Sequence, residues 1–337
     1  MESFDLDFSD ITEASKIKYC NQITNLHHKV SKGKPLTSLE FLRQHTKIIK
    51  ILDSDCWGKK NNTILADGTK KTYLNAIIAV MRRADLDYPA LNKYETLRDL
   101  KQTEYDVMLD THRKSDRQKE RWISLNEFDE MLEKIERKIK YMKLWKHHYD
   151  TDAMKEHKVQ YSQNIKDFQN LQTYVMLMLH RHQPPVRNDY KRIICIKKRE
   201  HKELSCDEME DNNYLVICSK DKTFFNFNNY KTAKVYGTKN VALVPELHSL
   251  MKKWLKINTT GFLLVDSNFN ALSTDQLSKR MGNVFMEYTG KRLGSTLLRN
   301  IYLSEKYQEF LKQSEQDADE MMHSVEMQKN YVKFDED

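Results

Sequence analysis

This 337-residue chain predicts a mainly α-helical protein with a small antiparallel β-sheet, an α+β class. Three observations carry the prediction. Glycine (8) and proline (5) are scarce, so little interrupts a long helix. Apolar residues recur at helical spacing, as Tyr73, Ile77, Val80 and Met81 do. Short β-rich runs gather between residues 193 and 265.

The elements follow in chain order. "EASKIKYCNQITNLHHKV", "SLEFLRQHTKIIKILD" and "TKKTYLNAIIAVMRRADL" each read as an amphipathic helix. Residues 110–122, "DTHRKSDRQKERW", are charged without apolar periodicity. They read as an inter-domain linker, a solvated helix end being the other reading. "SLNEFDEMLEKIERKIKYMKLW" restarts a helix, with Ser124 and Glu127 in capping-box spacing. "NLQTYVMLMLH" is apolar nearly all round, which predicts a buried helix that Pro184 and Pro185 end.

"IICI", "YLVIC" and "GFLLV" read as short strands, and "TFFNFNNYKTAKVYGTKNVALV" as further β-structure turning near Gly237. Pro245 starts "PELHSLMKKWLKI", since proline suits a first helical turn. "STDQLSKRMGNVFMEYTG" opens with Ser273 and Gln276 in a second capping box and stops at Gly290. "STLLRNIYLSEKYQEFL" and a closing helix, with Ser324 as its N-cap, end the chain. The domains expected are helical 1–110, a basic linker 111–121, and 122–337 with the sheet.

Composition excludes several classes. No stretch approaches the roughly 18 continuous apolar residues of a membrane span, so no membrane partner is expected. The start "MESFDLDFSD" lacks the basic and apolar regions of a secretion signal, which predicts an intracellular protein. Cys20, Cys56, Cys195, Cys206 and Cys218 show no CxxC spacing and read as free thiols in a reducing compartment. No Walker loop, GxGxxG, HExxH or GxSxG is present, and no cofactor is expected. A net charge of +7 favours an anionic partner.

A series of basic residues stands at structural punctuation points and ends in a tyrosine. Arg187 follows the double proline in "QPPVRNDY". Lys231 lies in "NNYKTAKVYG", on the expected β-structure. Arg299 stands one turn into the helix from Ser295. His323 precedes Ser324, and Tyr331 rides on the last helix. Singly, each has an ordinary explanation: a surface charge, a solvated hairpin lysine, a structural histidine, a rim tyrosine.

The order is more informative. "PPVRNDY", "YKTAKVYGTKNVALVPEL", "STLLRNIYLS" and "MMHSVEMQKNY" together resemble the arginine, lysine, second-arginine and closing boxes of the tyrosine recombinase (phage integrase) family. The likeness spans about residues 122–334. The helical first 110 residues look like that family's DNA core-binding domain, more loosely. One position departs: the second box usually carries a histidine three residues before its arginine, where this chain has Thr296. Threonine donates a hydrogen bond to a phosphate oxygen but takes no proton at neutral pH.

The resemblance implies a site-specific DNA recombinase or integrase of a mobile element or DNA virus. It would act on double-stranded DNA as a dimer or tetramer, without metal or ATP. Arg187 and Arg299 would hold the non-bridging oxygens bidentately, with His323 as a further donor and Thr296 beside them. Tyr331 would attack phosphorus and form a 3′-phosphotyrosine. Lys231 would protonate the leaving 5′-oxygen, with Lys234 or Lys239 in its place if the hairpin turns elsewhere. A type IB topoisomerase uses similar residues, and a non-catalytic DNA-binding protein could keep the fold.

Overall fold

The computed structural model describes residues 6–57, 63–86, 88–218 and 222–331. The residues that follow Tyr331, and the first five of the acidic start, lie outside the described residues. The chain divides into two compact units, Met1–Lys114 and Ser115–Asp337, each with its own apolar core.

The first unit is helical: α1 (Glu13–Val30), α2 (His45–Asp53), α3 (Asp67–Arg83) and α4 (Tyr88–Asp110). α3 buries Tyr73, Leu74, Ala76, Ile77, Ile78, Val80 and Met81, a stripe wide enough to take neighbours on two sides. Residues 38–53 do not form the single helix expected. A 3-10 turn (Glu40–Arg43) precedes α2, and the chain leaves helical geometry at Gln44, where ψ is 54°. The cause is tertiary. The buried Tyr94 hydroxyl donates to the Leu42 carbonyl at 2.9 Å, a carbonyl that a continuous helix would pair within itself.

The second unit opens with α5 (Asp116–Arg121), α6 (Leu125–Tyr141), α7 (Thr151–Glu156) and α8 (Ser162–His182). Both expected capping boxes form, Ser124 with Glu127 and Ser273 with Gln276. α5 carries an unforeseen one, Ser115 with Gln118, within the stretch read as a linker. α8 is buried on nearly every side, with Phe168, Leu171, Val175, Met176, Leu177 and Leu179 fully enclosed.

A four-stranded sheet follows, in the order β1 (Ile194–Lys197), β2 (Tyr214–Ile217), β3 (Phe224–Phe227) and β4 (Lys239–Ala242). It is mixed, which corrects the antiparallel expectation: β1 pairs β2 in parallel and the other pairs are antiparallel. Two short helices, α9 (Lys198–Lys202) and α10 (Cys206–Asp211), carry the chain back so that β2 can run alongside β1. The run 223–244 is not continuous β-structure either, because α11 (Ala233–Tyr236) separates β3 from β4.

"GFLLV" joins no named strand. Only isolated bridges link Phe262 to Ile194 and Val265 to Ala271. Backbone bonds from the Cys195 N–H to the Gly261 carbonyl at 2.8 Å and from the Leu263 N–H to the Ile193 carbonyl at 2.9 Å tie the segment to the start of β1, and side chains add to them. The Gln172 amide both donates to and accepts from the Val265 backbone, at 2.7 Å each way, and the Trp254 indole donates to the Leu263 carbonyl. Leu263, Leu264 and Val265 are buried without a strand partner on each side, and both backbone groups of Leu263 and Val265 are bonded.

α12 (Pro245–Ile257), α13 (Thr274–Thr289), α14 (Ser295–Glu320) and α15 (Val325–Tyr331) complete the unit. Gly290 ends α13 at φ 69°, the left-handed cap that glycine adopts without strain. Among the described residues no helix is long and apolar enough to cross a membrane.

His180, near the end of α8, predicts a pH dependence. It is buried, and its Nδ1–H donates to the Met176 carbonyl at 2.8 Å. Burial pulls its pKa from 6.5 down to about 4, against that hydrogen bond. The unfolded chain therefore binds the proton first, so this contribution is full above pH 6.5 and lost as pH falls toward 4. Urea midpoints between pH 4 and 7 should fall less steeply for His180→Phe than for the wild type; equal slopes would remove His180 from the account.

Candidate functional site

Two prolines after α8 force the chain out of the helix and into the turn that carries Arg187. Tyr190 anchors this turn. It is fully buried, with its ring 5.1 Å from His180 and 5.3 Å from Phe225. Asn188 ties the turn to two helices: its amide donates to the Ser278 hydroxyl of α13 at 2.9 Å, and its carbonyl oxygen accepts from the Ser295 hydroxyl of α14 at 3.0 Å. Arg299 stands one helical turn after Ser295.

Through Asn188 these anchors tie the Arg187 turn to the start of α14, the helix that carries Arg299. Asp189 is half-buried, and desolvation pushes its pKa above the ordinary carboxylate value, while the charges of Lys191, Arg187 and Arg299 pull it back. Arg187 is exposed and Arg299 partly so, which leaves both guanidinium groups able to receive an anion. Thr296 is exposed in the first turn of α14. That helix starts at Gly294 with no side-chain cap, so its first N–H groups add positive potential beside the arginines.

Lys231 is exposed, and it lies in the turn before α11, not on a strand as expected. Lys234 rides on α11 and Lys239 opens β4, both exposed. Side-chain amides shape this lysine-bearing loop. The Asn213 carbonyl oxygen accepts from the Asn228 and Asn229 backbone N–H groups at 2.8 Å each. The Asn228 carbonyl oxygen accepts from Thr238, and the Tyr230 hydroxyl donates to the Gly237 carbonyl at 2.6 Å.

His323 and Tyr331 form the other half. α14 ends at Met321, Met322 takes φ 60°, and the His323 N–H reaches back to the Ala318 carbonyl at 3.0 Å. α15 then folds onto α14, with the Ser314 hydroxyl bonded to the Gln328 side chain at 2.8 Å. The Tyr331 ring, 63% exposed, stacks on His323 with centroids 5.4 Å apart. Both His323 ring nitrogens are shielded there and lack a hydrogen-bond partner among the described residues.

The structure thus makes two pairs and keeps them apart. At 1.5 Å per residue, the 19 residues from Arg299 to Ala318 (318 − 299) span about 28 Å of continuous helix. Much of that span projects into solvent. Leu303, Tyr307, Phe310 and Leu311 are exposed at spacings of four, seven and eight residues, an apolar stripe left uncovered among the described residues.

Sequence reading singled out the basic residues and passed over Asn188, Asp189 and Asn213. The first two lie in the "VRNDY" motif already quoted, but their partners are through-space neighbours about a hundred residues on. Among the described residues, no group of three or more His, Cys, Asp or Glu side chains converges as a metal site.

Asn188→Ala removes two partly buried hydrogen bonds and strands two hydroxyls, an expected loss of about 1–3 kcal/mol. Urea unfolding would show it as a lowered midpoint with unchanged slope, and Asn188→Asp, which keeps the acceptor toward Ser295, should lose less. Compared with known proteins, the chain matches no protein-family model and no curated protein.

Proposed function

We propose that this protein is a DNA strand-transferase, a site-specific recombinase or integrase that breaks and rejoins DNA through a 3′-phosphotyrosine. The observation that carries the reading is the tie between the turn of Arg187 and the start of α14, where Ser295, one helical turn before Arg299, bonds Asn188 at 3.0 Å, so that two arginines 112 residues apart (299 − 187) share one region, both acting by their charge on Asp189. A phosphodiester under attack gains negative charge on its non-bridging oxygens, and two guanidinium forks stabilise it at that place. Thr296 and the uncapped first turn of α14 supply further donors.

In this mechanism Tyr331 loses its phenol proton to water, its oxygen bonds to phosphorus as the bond to the 5′-oxygen breaks, and Lys231 gives that leaving oxygen a proton. Lys234 and Lys239 stand on the same loop as substitutes. Rejoining reverses the step: a 5′-hydroxyl attacks the phosphotyrosine and Tyr331 departs. His323, once Tyr331 moves off its ring, is free to donate to the phosphate. The phosphate bond energy is kept in the covalent intermediate, so the exchange needs no nucleotide.

The length of α14 between Arg299 and the turn that carries His323 bears on assembly. A working site needs the arm of α14 and α15 to reach an arginine pair other than the one at its own root, or else to rearrange. The exposed stripe at Leu303, Tyr307, Phe310 and Leu311 supports the first course, a second copy of the chain covering it on DNA.

Covalent trapping tests the chemistry. Wild-type protein and Tyr331→Phe are incubated with supercoiled plasmid and with DNA from the ends of the protein's own element, then quenched in detergent. A 3′-linked adduct that maps to Tyr331 and vanishes in the variant is expected on particular sequences. Rapid relaxation of any plasmid by monomer would replace recombinase with topoisomerase, and DNA binding without adduct, even on nicked substrates, would leave a binding role only. Arg187→Ala should also reduce the salt slope of DNA binding by about one.

Mixing variants tests the assembly. Arg299→Ala and Tyr331→Phe should each trap no adduct alone, while their mixture regains it if one copy supplies the tyrosine and another the arginines. A silent mixture beside an active wild type would place all the groups of one site in one chain.

A further inference from the structure

A second cationic site lies away from the arginine pair. α6, α8, α13 and the loop at 266–272 enclose a cleft of about 470 Å³. Arg280 of α13 lines it, and its Nη1 is shielded from solvent with no hydrogen-bond partner among the described residues. Lys138 and Lys279 stand at the same cleft, and so do two carboxylates, Asp266 and Glu287.

Asp266 is the neighbour whose charge most favours Arg280, yet its oxygens are committed elsewhere. One accepts from the Asn268 and Asn270 backbone N–H groups at 2.8 and 3.0 Å, and the other from the Gln276 amide at 3.3 Å. Those bonds build the turn that leads into α13. A guanidinium nitrogen shielded from water without a partner is costly, and an anion that reaches it from the cleft offsets that cost. Part of the remaining wall is apolar, through Ile139, Val284 and Tyr288, and part polar, through Gln169, Asn170, Thr173 and Asn283. Such a mixture of one buried cation, flanking lysines and an apolar floor suits a small ligand.

We propose that this cleft binds a small organic anion, with its phosphate or carboxylate head on Arg280 and a planar or apolar body against Ile139, Val284 and Tyr288. The site is independent of the strand-transfer reading and would stand if that reading fell.

Calorimetric titration of the full chain tests it. The background is Arg187→Ala/Arg299→Ala, which removes the other phosphate seat; the probes are phenyl phosphate, benzoate and inorganic phosphate. Saturable one-to-one binding of phenyl phosphate or benzoate is expected, at least tenfold tighter than inorganic phosphate, and which of the two wins assigns the head group. Adding Arg280→Met should weaken it tenfold or more, with Arg280→Lys in between because the fork is lost and the charge kept. Tyr288→Ala should weaken phenyl phosphate and leave inorganic phosphate unchanged.

Melting without ligand supplies an independent readout. Arg280→Met should melt no lower than its parent, since it removes an under-paired charge. A clear drop would make Arg280 a structural ion-pair member and overturn the proposal. So would the absence of saturable binding, affinity indifferent to Arg280, or displacement of effect to duplex DNA alone.

Discussion

The burial of α8 on nearly every side is the constraint on which the second unit depends. A helix so enclosed removes its neighbours' backbone groups from water, and each must find a partner. Two glutamines of this region meet that demand. Gln172 brackets the Val265 backbone, while the Gln183 amide donates to the Ala242 carbonyl and accepts from the Val244 N–H. One side chain thus holds the end of "GFLLV", and the other fastens the end of β4 to the end of α8. The β1 edge is met by the backbone of Gly261 and Leu263, and the end of β4 by the Gln183 side chain.

The same helix sets the arginine turn. α8 stops at Gln183 and the two prolines, and Tyr190 then plunges into the core against His180 and Phe225. Between those fixed points only a few residues remain, so Arg187, Asn188 and Asp189 have little freedom. Asn188 extends this rigidity to α13 and α14. Rigid positioning matters for phosphate chemistry, because donors aligned beforehand need no reorganisation as charge develops. The arm of α14 and α15 is built differently: long, solvent-exposed, and turned at a left-handed Met322. One half of the candidate site is held by the core, the other by a lever.

Much of the local structure was legible before the fold. The capping boxes at Ser124 and Ser273, the helix start at Pro245 and the stop at Gly290 are written in adjacent residues, since caps act within one turn. Other features were not legible. The break at Gln44 answers to Tyr94, the parallel β1–β2 pair to a crossover of two small helices, and the turn position of Lys231 to an asparagine network drawn from both sides of the loop. In each case the deciding partner is remote in sequence, where periodicity carries no information.

By itself the sequence determined a mainly helical chain with a small β-region, and a set of basic residues in a fixed order before a terminal tyrosine. Helical period, caps and residue chemistry are local properties, so the amino acids suffice for them. Only the tertiary structure decided which of those residues meet. It ties the Arg187 turn to the start of α14 through Asn188, stacks Tyr331 on His323, and sets a length of α14 between Arg299 and the turn that carries His323. Such separations depend on how helices end and pack, and on the core that holds them, not on the spacing of letters along the chain.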